Sequence, residues 1–158
     1  MRRIVLVSSV LLFAAFCLAQ MQMPGTQSQI QEVRPIVPAP QVSLVNATEK
    51  ELESRGDELR EEKNYLDAID YYEAALKKKP DPILYNKIGM TYLSMGNLEK
   101  AQKAIQKAVK MDKHYAEAIN NLGVVFYLKK KYGQAENNYK KALLLRDSAS
   151  FHSNLGTV

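Results

Sequence analysis
Residues 85–108 read YNKIGMTYLSMGNLEKAQKAIQKA, and residues 119–142 read INNLGVVFYLKKKYGQAENNYKKA. Shifted by 34 positions, the two segments superimpose. Ile88-Gly89 falls on Leu122-Gly123, Tyr92 on Phe126, Ala101 on Ala135, Ile105 on Tyr139 and Ala108 on Ala142. The register continues outward in both directions. Gly56, Gly89, Gly123 and Gly156 stand 33, 34 and 33 apart; Ala68, Ala101 and Ala135, like Ala75, Ala108 and Ala142, stand 33 and 34 apart. A period of about 34 residues containing two helical stretches signals a solenoid of stacked helix pairs.

The residue types explain the spacing. Each unit reads as a helix A, a tight turn and a helix B, predicted over 48–62 and 65–78, 82–95 and 98–111, and 115–129 and 132–146. A glycine inside a helix costs about 1 kcal/mol relative to alanine. A glycine recurring at one phase therefore implies close approach of helix B, with Ala68, Ala101 and Ala135 as the reciprocal small surface. Large apolar residues recur at i, i+3, i+4 and i+7, which gives each helix one buried face. They are Leu52, Leu59, Tyr72 and Leu76 in the first unit, and Tyr85, Ile88, Tyr92, Ile105 and Val109 in the second. The third has Ile119, Leu122, Phe126, Tyr139 and Leu143. Core packing is the expectation for all of these aromatics.

On these residues the chain resembles the tetratricopeptide repeat family. That family's pattern is a large residue, Leu-Gly, an aromatic, Ala, an aromatic, Ala and Pro over 34 positions. The first unit supplies Leu52, Gly56, Leu59, Ala68, Tyr72, Ala75 and Pro80. It departs in Arg55, which stands where Leu is usual, and Lys113 and Asp147 replace the terminal Pro of the later units. The resemblance implies an all-α, right-handed superhelical solenoid of antiparallel helix pairs, with a concave groove lined by the A helices that holds a peptide or partner protein. The units are about 49–81, 82–115 and 116–148, with the start of a fourth at 149–158.

The resemblance also implies which residues line that groove. In the second and third units these include Asn86, Met90, Leu93, Asn120, Val124 and Tyr127, an apolar lining with two asparagines in equivalent places. A carboxamide both donates and accepts, so Asn86 and Asn120 suit the backbone of an extended peptide, or else a solvated helix surface. In the first unit the groove is charged, with Glu53 and Asp57 prominent. Some family members grip a chaperone's C-terminal carboxylate with Lys, Asn and Arg. Here Glu53 and Asp57 stand where the Lys and Asn would be, which argues against that use.

Charge is distributed as a gradient. The chain has a formal charge of +5. Residues 49–81 carry 11 acids and 7 bases, whereas residues 82–147 carry 5 acids and 12 bases. Lys100, Lys103, Lys107 and Lys110 form a stripe on one helix B. Its expected role is a solvated surface; the alternative is attachment to anionic envelope polymers or lipids. Nucleic acid is not expected, because no arginine-rich groove or reading motif accompanies the positive charge.

Upstream of the repeats, Arg2-Arg3, the apolar run 4–16 and Cys17-Leu18-Ala19 form the pattern of a secretory signal peptide, 1–19, cut after Ala19. Export to a periplasmic or extracellular compartment follows, with tethering by an uncleaved signal anchor as the alternative. Cleavage removes the single cysteine and leaves 20 bases against 17 acids, +3. Residues 20–46, with Pro24, Pro35, Pro38, Pro40 and six glutamines, read as a disordered linker; residues 47–158 form the repeat domain. At the other end Phe151, Leu155 and Val158 continue an apolar helical face. Either the array continues in a longer protein or this helix is a cap whose apolar edge supports self-association.

Chemistry is not expected. His114 and His152 lack the spacing of a metal or nucleophile–acid site, and the glycines are too far apart for a phosphate loop. The sequence therefore points to a non-enzymatic scaffold that needs no cofactor or metal.

Overall fold
The structure, a computed structural model, describes residues 46–158; the expected signal peptide and nearly all of the linker lie outside these residues. Seven helices follow one another: α1 (Glu49–Glu61), α2 (Tyr65–Lys78), α3 (Pro82–Ser94), α4 (Leu98–Met111), α5 (Ala116–Leu128), α6 (Tyr132–Leu145) and α7 (Ala149–Leu155). Each packs on its neighbours in sequence, and α3 also meets α5. The described chain is an all-α helical-repeat solenoid, with α1, α3 and α5 as A helices and α2, α4 and α6 as B helices. No described helix is long and apolar enough to cross a membrane.

The helix boundaries have local causes. Thr48 opens α1 through a capping box: the Glu51 N–H donates to Thr48 Oγ1 at 3.3 Å, and the Thr48 N–H donates to a Glu51 carboxylate oxygen at 2.7 Å. That bond holds the Glu51 carboxyl below the usual carboxylate range. Asp81 caps α3, accepting from the Ile83 N–H at 2.7 Å, with Pro82 in the first helical position. The A-to-B turns are copies of one another. Lys63, Gly96 and Lys130 take φ of +65°, +74° and +59°. The following N–H groups, of Asn64, Asn97 and Lys131, reach back to the Leu59, Tyr92 and Phe126 carbonyls at 2.8, 2.9 and 2.8 Å. This is the left-handed helix ending that glycine suits best. The two lysines adopt it because the next helix must start there.

The recurring glycines mark the closest approach of A and B helices. A Cβ on Gly56 would lie 2.5 Å from Tyr72 Cε1, and one on Gly123 would lie 2.5 Å from Tyr139 Cε1. At Gly89 the obstruction is the Ile105 side chain, with the Ala101 carbonyl at 3.3 Å. The side chain seated on each glycine is thus the large residue of helix B. Ala68, Ala75, Ala101, Ala108, Ala135 and Ala142 are fully buried beside it.

Most of the expected core residues are buried: Leu52, Leu59, Tyr72, Ile88, Ile105, Ile119, Leu122, Phe126 and Tyr139. Tyr85, Tyr92, Leu76, Val109 and Leu143 depart from that expectation. They are only half-buried, whereas Ile119 and Phe126, which hold the places of Tyr85 and Tyr92 one unit later, are closed over. Phe151 of α7 packs with Ala116, Ile119 and Ala142 and covers the far end of the third unit.

The packing at the glycines yields a paired test. Gly123→Ala inserts a methyl group into the Tyr139 ring and is expected to lower the unfolding free energy by about 1–3 kcal/mol. Gly133→Ala, in α6 with open space around it, is expected to raise stability by about 0.5–1 kcal/mol. Urea denaturation of the two variants measures both signs.

Candidate functional site
Successive A helices are joined by a polar contact that recurs with the repeat. In the first joint, Lys87 Nζ of α3 donates to Glu53 Oε1 at 2.6 Å and to Asp57 Oδ2 at 2.5 Å, both on α1. Tyr72 Oη donates to the other Asp57 oxygen at 2.7 Å. In the second joint, Asn121 Nδ2 of α5 donates to Asn86 Oδ1 of α3 at 3.0 Å. In the third, Asn154 Nδ2 of α7 donates to Asn120 Oδ1 of α5 at 3.0 Å. Glu53, Asn86 and Asn120 occupy one repeat position, and Lys87, Asn121 and Asn154 the next. The contacts therefore form a ladder of one ionic and two amide rungs. A 3.5 Å contact from Asn120 Nδ2 to Asn121 Oδ1 links the amide rungs, and Asn86 Nδ2 donates to Tyr115 Oη at 3.3 Å.

Burial decides how these groups are held. Asn86 and Asn120 are only 8% and 6% exposed, so each needs partners within the protein. Lys87 loses solvation, which favours its neutral form, but the Asp57 and Glu53 carboxylates outweigh that and raise its pKa. Burial pushes the Tyr72 hydroxyl well above its ordinary range, helped by its bond to Asp57. Burial likewise raises the Tyr115 hydroxyl, with Asn86 acting against the shift.

The structure gathers the sequence-predicted groove residues into two sets. Asn86 and Asn120 belong to the ladder, and their carbonyl oxygens are occupied by the next unit. Leu93, Val124 and Tyr127 are half-buried on one hydrophobic cluster with Leu122 and Phe126. Met90 is half-buried on α3 between Asn86 and Leu93 in sequence. Tyr127 is also held edge-on against Tyr132, with ring centroids 5.7 Å apart. Leu128 and Ile83 are more open, at 49% and 45%.

Sequence reasoning missed Lys87, Asn121 and Tyr115. The signal for Asn121 was present: Asn154-Leu155-Gly156 copies Asn121-Leu122-Gly123, and Lys87 holds the equivalent place before Ile88-Gly89. In the charged groove of the first unit, Lys87 sits between the Glu53 and Asp57 carboxylates. Further pairs tie B-side elements to A helices. Lys129 reaches Glu99 at 3.3 Å and Gln102 at 2.8 Å, and Arg146 pairs with Glu117. Among the described residues no three His, Cys, Asp or Glu side chains gather as a metal site.

Residues 82–148 match the family model described as tetratricopeptide repeat. The chain is 33% identical over 91 residues to photosystem I assembly protein Ycf3 of Rippkaea orientalis, a match covering 54% of this chain and 52% of that protein. It is 29% identical over 90 residues to Hsp70-Hsp90 organizing protein 2 of Arabidopsis thaliana, covering 56% of this chain and 16% of the relative. The chain thus matches from about a sixth to about half of the length of these relatives. In structure it is similar to the Sgt2 tetratricopeptide-repeat domain of Aspergillus fumigatus, with TM-score 0.66, 28% identity, and coverage of 69% of this chain and 75% of that one.

The ionic rung carries a pH prediction. Lys87→Met leaves Glu53 and Asp57 without their cation and is expected to cost about 1–2 kcal/mol of stability at pH 7. Because the folded pKa of Lys87 is raised, its contribution is complete below its ordinary value of 10.5 and is lost as pH rises through the folded value. Urea unfolding should therefore show a constant gap between parent and variant from pH 7 up to near 10.5, which narrows only at higher pH.

Proposed function
The chain is a tetratricopeptide-repeat protein, and we propose that its A helices form a groove that holds an extended segment of a partner protein, with no chemistry of its own. The observation that carries this reading is the division of labour on α3 and α5. Two adjacent polar positions of each helix, Asn86 and Lys87 on α3 and Asn120 and Asn121 on α5, are spent on joining units. Further along, Met90, Leu93, Val124 and Tyr127 remain half-open, the last three on a firmly packed base. Half-exposed apolar side chains on a fixed scaffold suit side-chain contacts with a peptide, and Met90 supplies an adaptable surface. Asn86 and Asn120 then act mainly by fixing the spacing of α3, α5 and α7, and their remaining hydrogen-bond capacity borders the same strip.

The occupant differs from a terminal carboxylate held by free cations. Lys87 is engaged by Glu53 and Asp57, so this joint offers no free cation and carries a formal charge of −1. An uncharged or mixed segment with apolar anchors fits better. Selection of phage-displayed peptides on the full chain, followed by calorimetry, tests the reading. The double variant Met90→Glu with Tyr127→Ser should weaken the selected peptide by at least about tenfold while remaining helical by circular dichroism. Unchanged affinity in a folded variant would place the binding surface elsewhere.

We also infer that the scaffold works after export, from Arg2-Arg3, the apolar run 4–16 and Leu18-Ala19. N-terminal sequencing of the protein recovered from its native host should begin at Gln20. A retained Met1 would leave the anchored form or no export at all.

A further inference from the structure
Tyr85 and Tyr92 remain half-open because they form the floor of a second cleft, on the B-helix side of the joint between the first two units. The cleft encloses about 510 Å³ between α2, α3 and α4. Ile88 and Ala104 complete an apolar base with the two rings. Around the rim stand Lys77 of α2 and Lys100, Lys103 and Lys107 of α4; Glu73 is the one acid on the lining. None of these four lysines has a carboxylate partner among the described residues. Lys107 Nζ lies 4.2 Å from the Tyr85 ring centroid and Lys100 Nζ 5.3 Å from that of Tyr92, so two ammonium groups rest on the faces of the floor itself.

The repeat supplies an internal comparison. At the next joint the places of Tyr85, Tyr92, Lys100 and Lys103 are taken by Ile119, Phe126, Gln134 and Asn137. Val109 and Lys110 take the places of Leu76 and Lys77, and Lys141 that of Lys107. There Ile119 and Phe126 are closed over and only two of the four lysines remain. The cleft is therefore local to one joint rather than a track running along the solenoid. Lys100 to Lys107 span only about 10 Å of helix.

We propose that this cleft binds a single-chain amphiphilic anion, such as a fatty-acid carboxylate, with its apolar body on the tyrosine floor and its head among the rim lysines. Charge complementarity argues for the head: four cations lacking carboxylate partners face one acid. The body is argued from the floor, which is apolar and ring-lined. The volume lies within the range of small-molecule sites, about 300–1,000 Å³. A flat membrane surface would not need a recess, and a long polypeptide would need the pattern to continue past one joint. The stripe of Lys100, Lys103 and Lys107 is thus the wall of a pocket rather than an adhesive face.

Calorimetric titration of the full chain with dodecanoate, below its micelle concentration, tests this. One equivalent should bind, at least about tenfold more tightly than the neutral dodecyl maltoside. The triple variant K100Q/K103Q/K107Q changes only exposed side chains and should keep its melting temperature while losing at least about tenfold in affinity. Ala104→Phe fills the floor and keeps every charge, and should lose binding equally. Equal binding of the neutral amphiphile, or full affinity in the lysine variant, would overturn the proposal. So would binding confined to anionic phosphatidylglycerol vesicles, or to an acidic amphipathic peptide with dodecanoate inert.

Discussion
How close two helices can come is set by the largest group between them, and in this protein that group is placed in the same way three times. The missing side chain at Gly56, Gly89 and Gly123 lets Tyr72, Ile105 and Tyr139 lie against the backbone of the A helix. The alanines of helix B sink to full burial on either side. Helix propensity favours alanine at those glycines, yet close packing overrides it, because the ring and the methyl group cannot share the space. Everything else in the domain is positioned by that distance: the tilt of the pair, the reach of the next A helix and the line of half-open residues beyond it.

Between units the problem is different, since stacked A helices must also hold a fixed stagger. The ladder of Glu53–Lys87, Asn86–Asn121 and Asn120–Asn154 does this with polar groups. Mostly buried carboxamides without partners carry a desolvation cost of about 1–3 kcal/mol, so any slip of one residue along the stack is penalised at each rung. Specificity of register, more than gross stability, is what such buried polar contacts contribute in other helical assemblies.

Periodicity exposed the architecture in the chain alone. Each predicted helix matches the observed one to within a residue or so at either end, and every repeated small residue but Gly156, which ends α7 and is exposed, is buried. The candidate site was less visible, for physical reasons. Asn86 and Asn120 were recognised as equivalent, but a hydrogen bond between units joins residues 34 or 35 apart, and spacing reveals equivalence rather than contact. Lys87 was not singled out, because only the stacking brings it between two carboxylates. Tyr85 and Tyr92 were read as core since their phase is that of core residues; their exposure depends on what α2 and α4 place opposite them. The residues before 46 bear the export reading and lie outside the described structure.

The ladder also decides which units are interchangeable. Excising residues 116–148 would set Asn154 against Asn86, the same amide rung that already exists. Excising residues 82–115 would instead bring Asn121 to Glu53 and strip Asp57 of its cation. The third unit can therefore be lost or duplicated without changing the kind of rung, whereas the second cannot be lost, because the first unit fits only a successor carrying a lysine in that place. A repeat array built this way grows or shrinks from its amide end and keeps its ionic end unchanged.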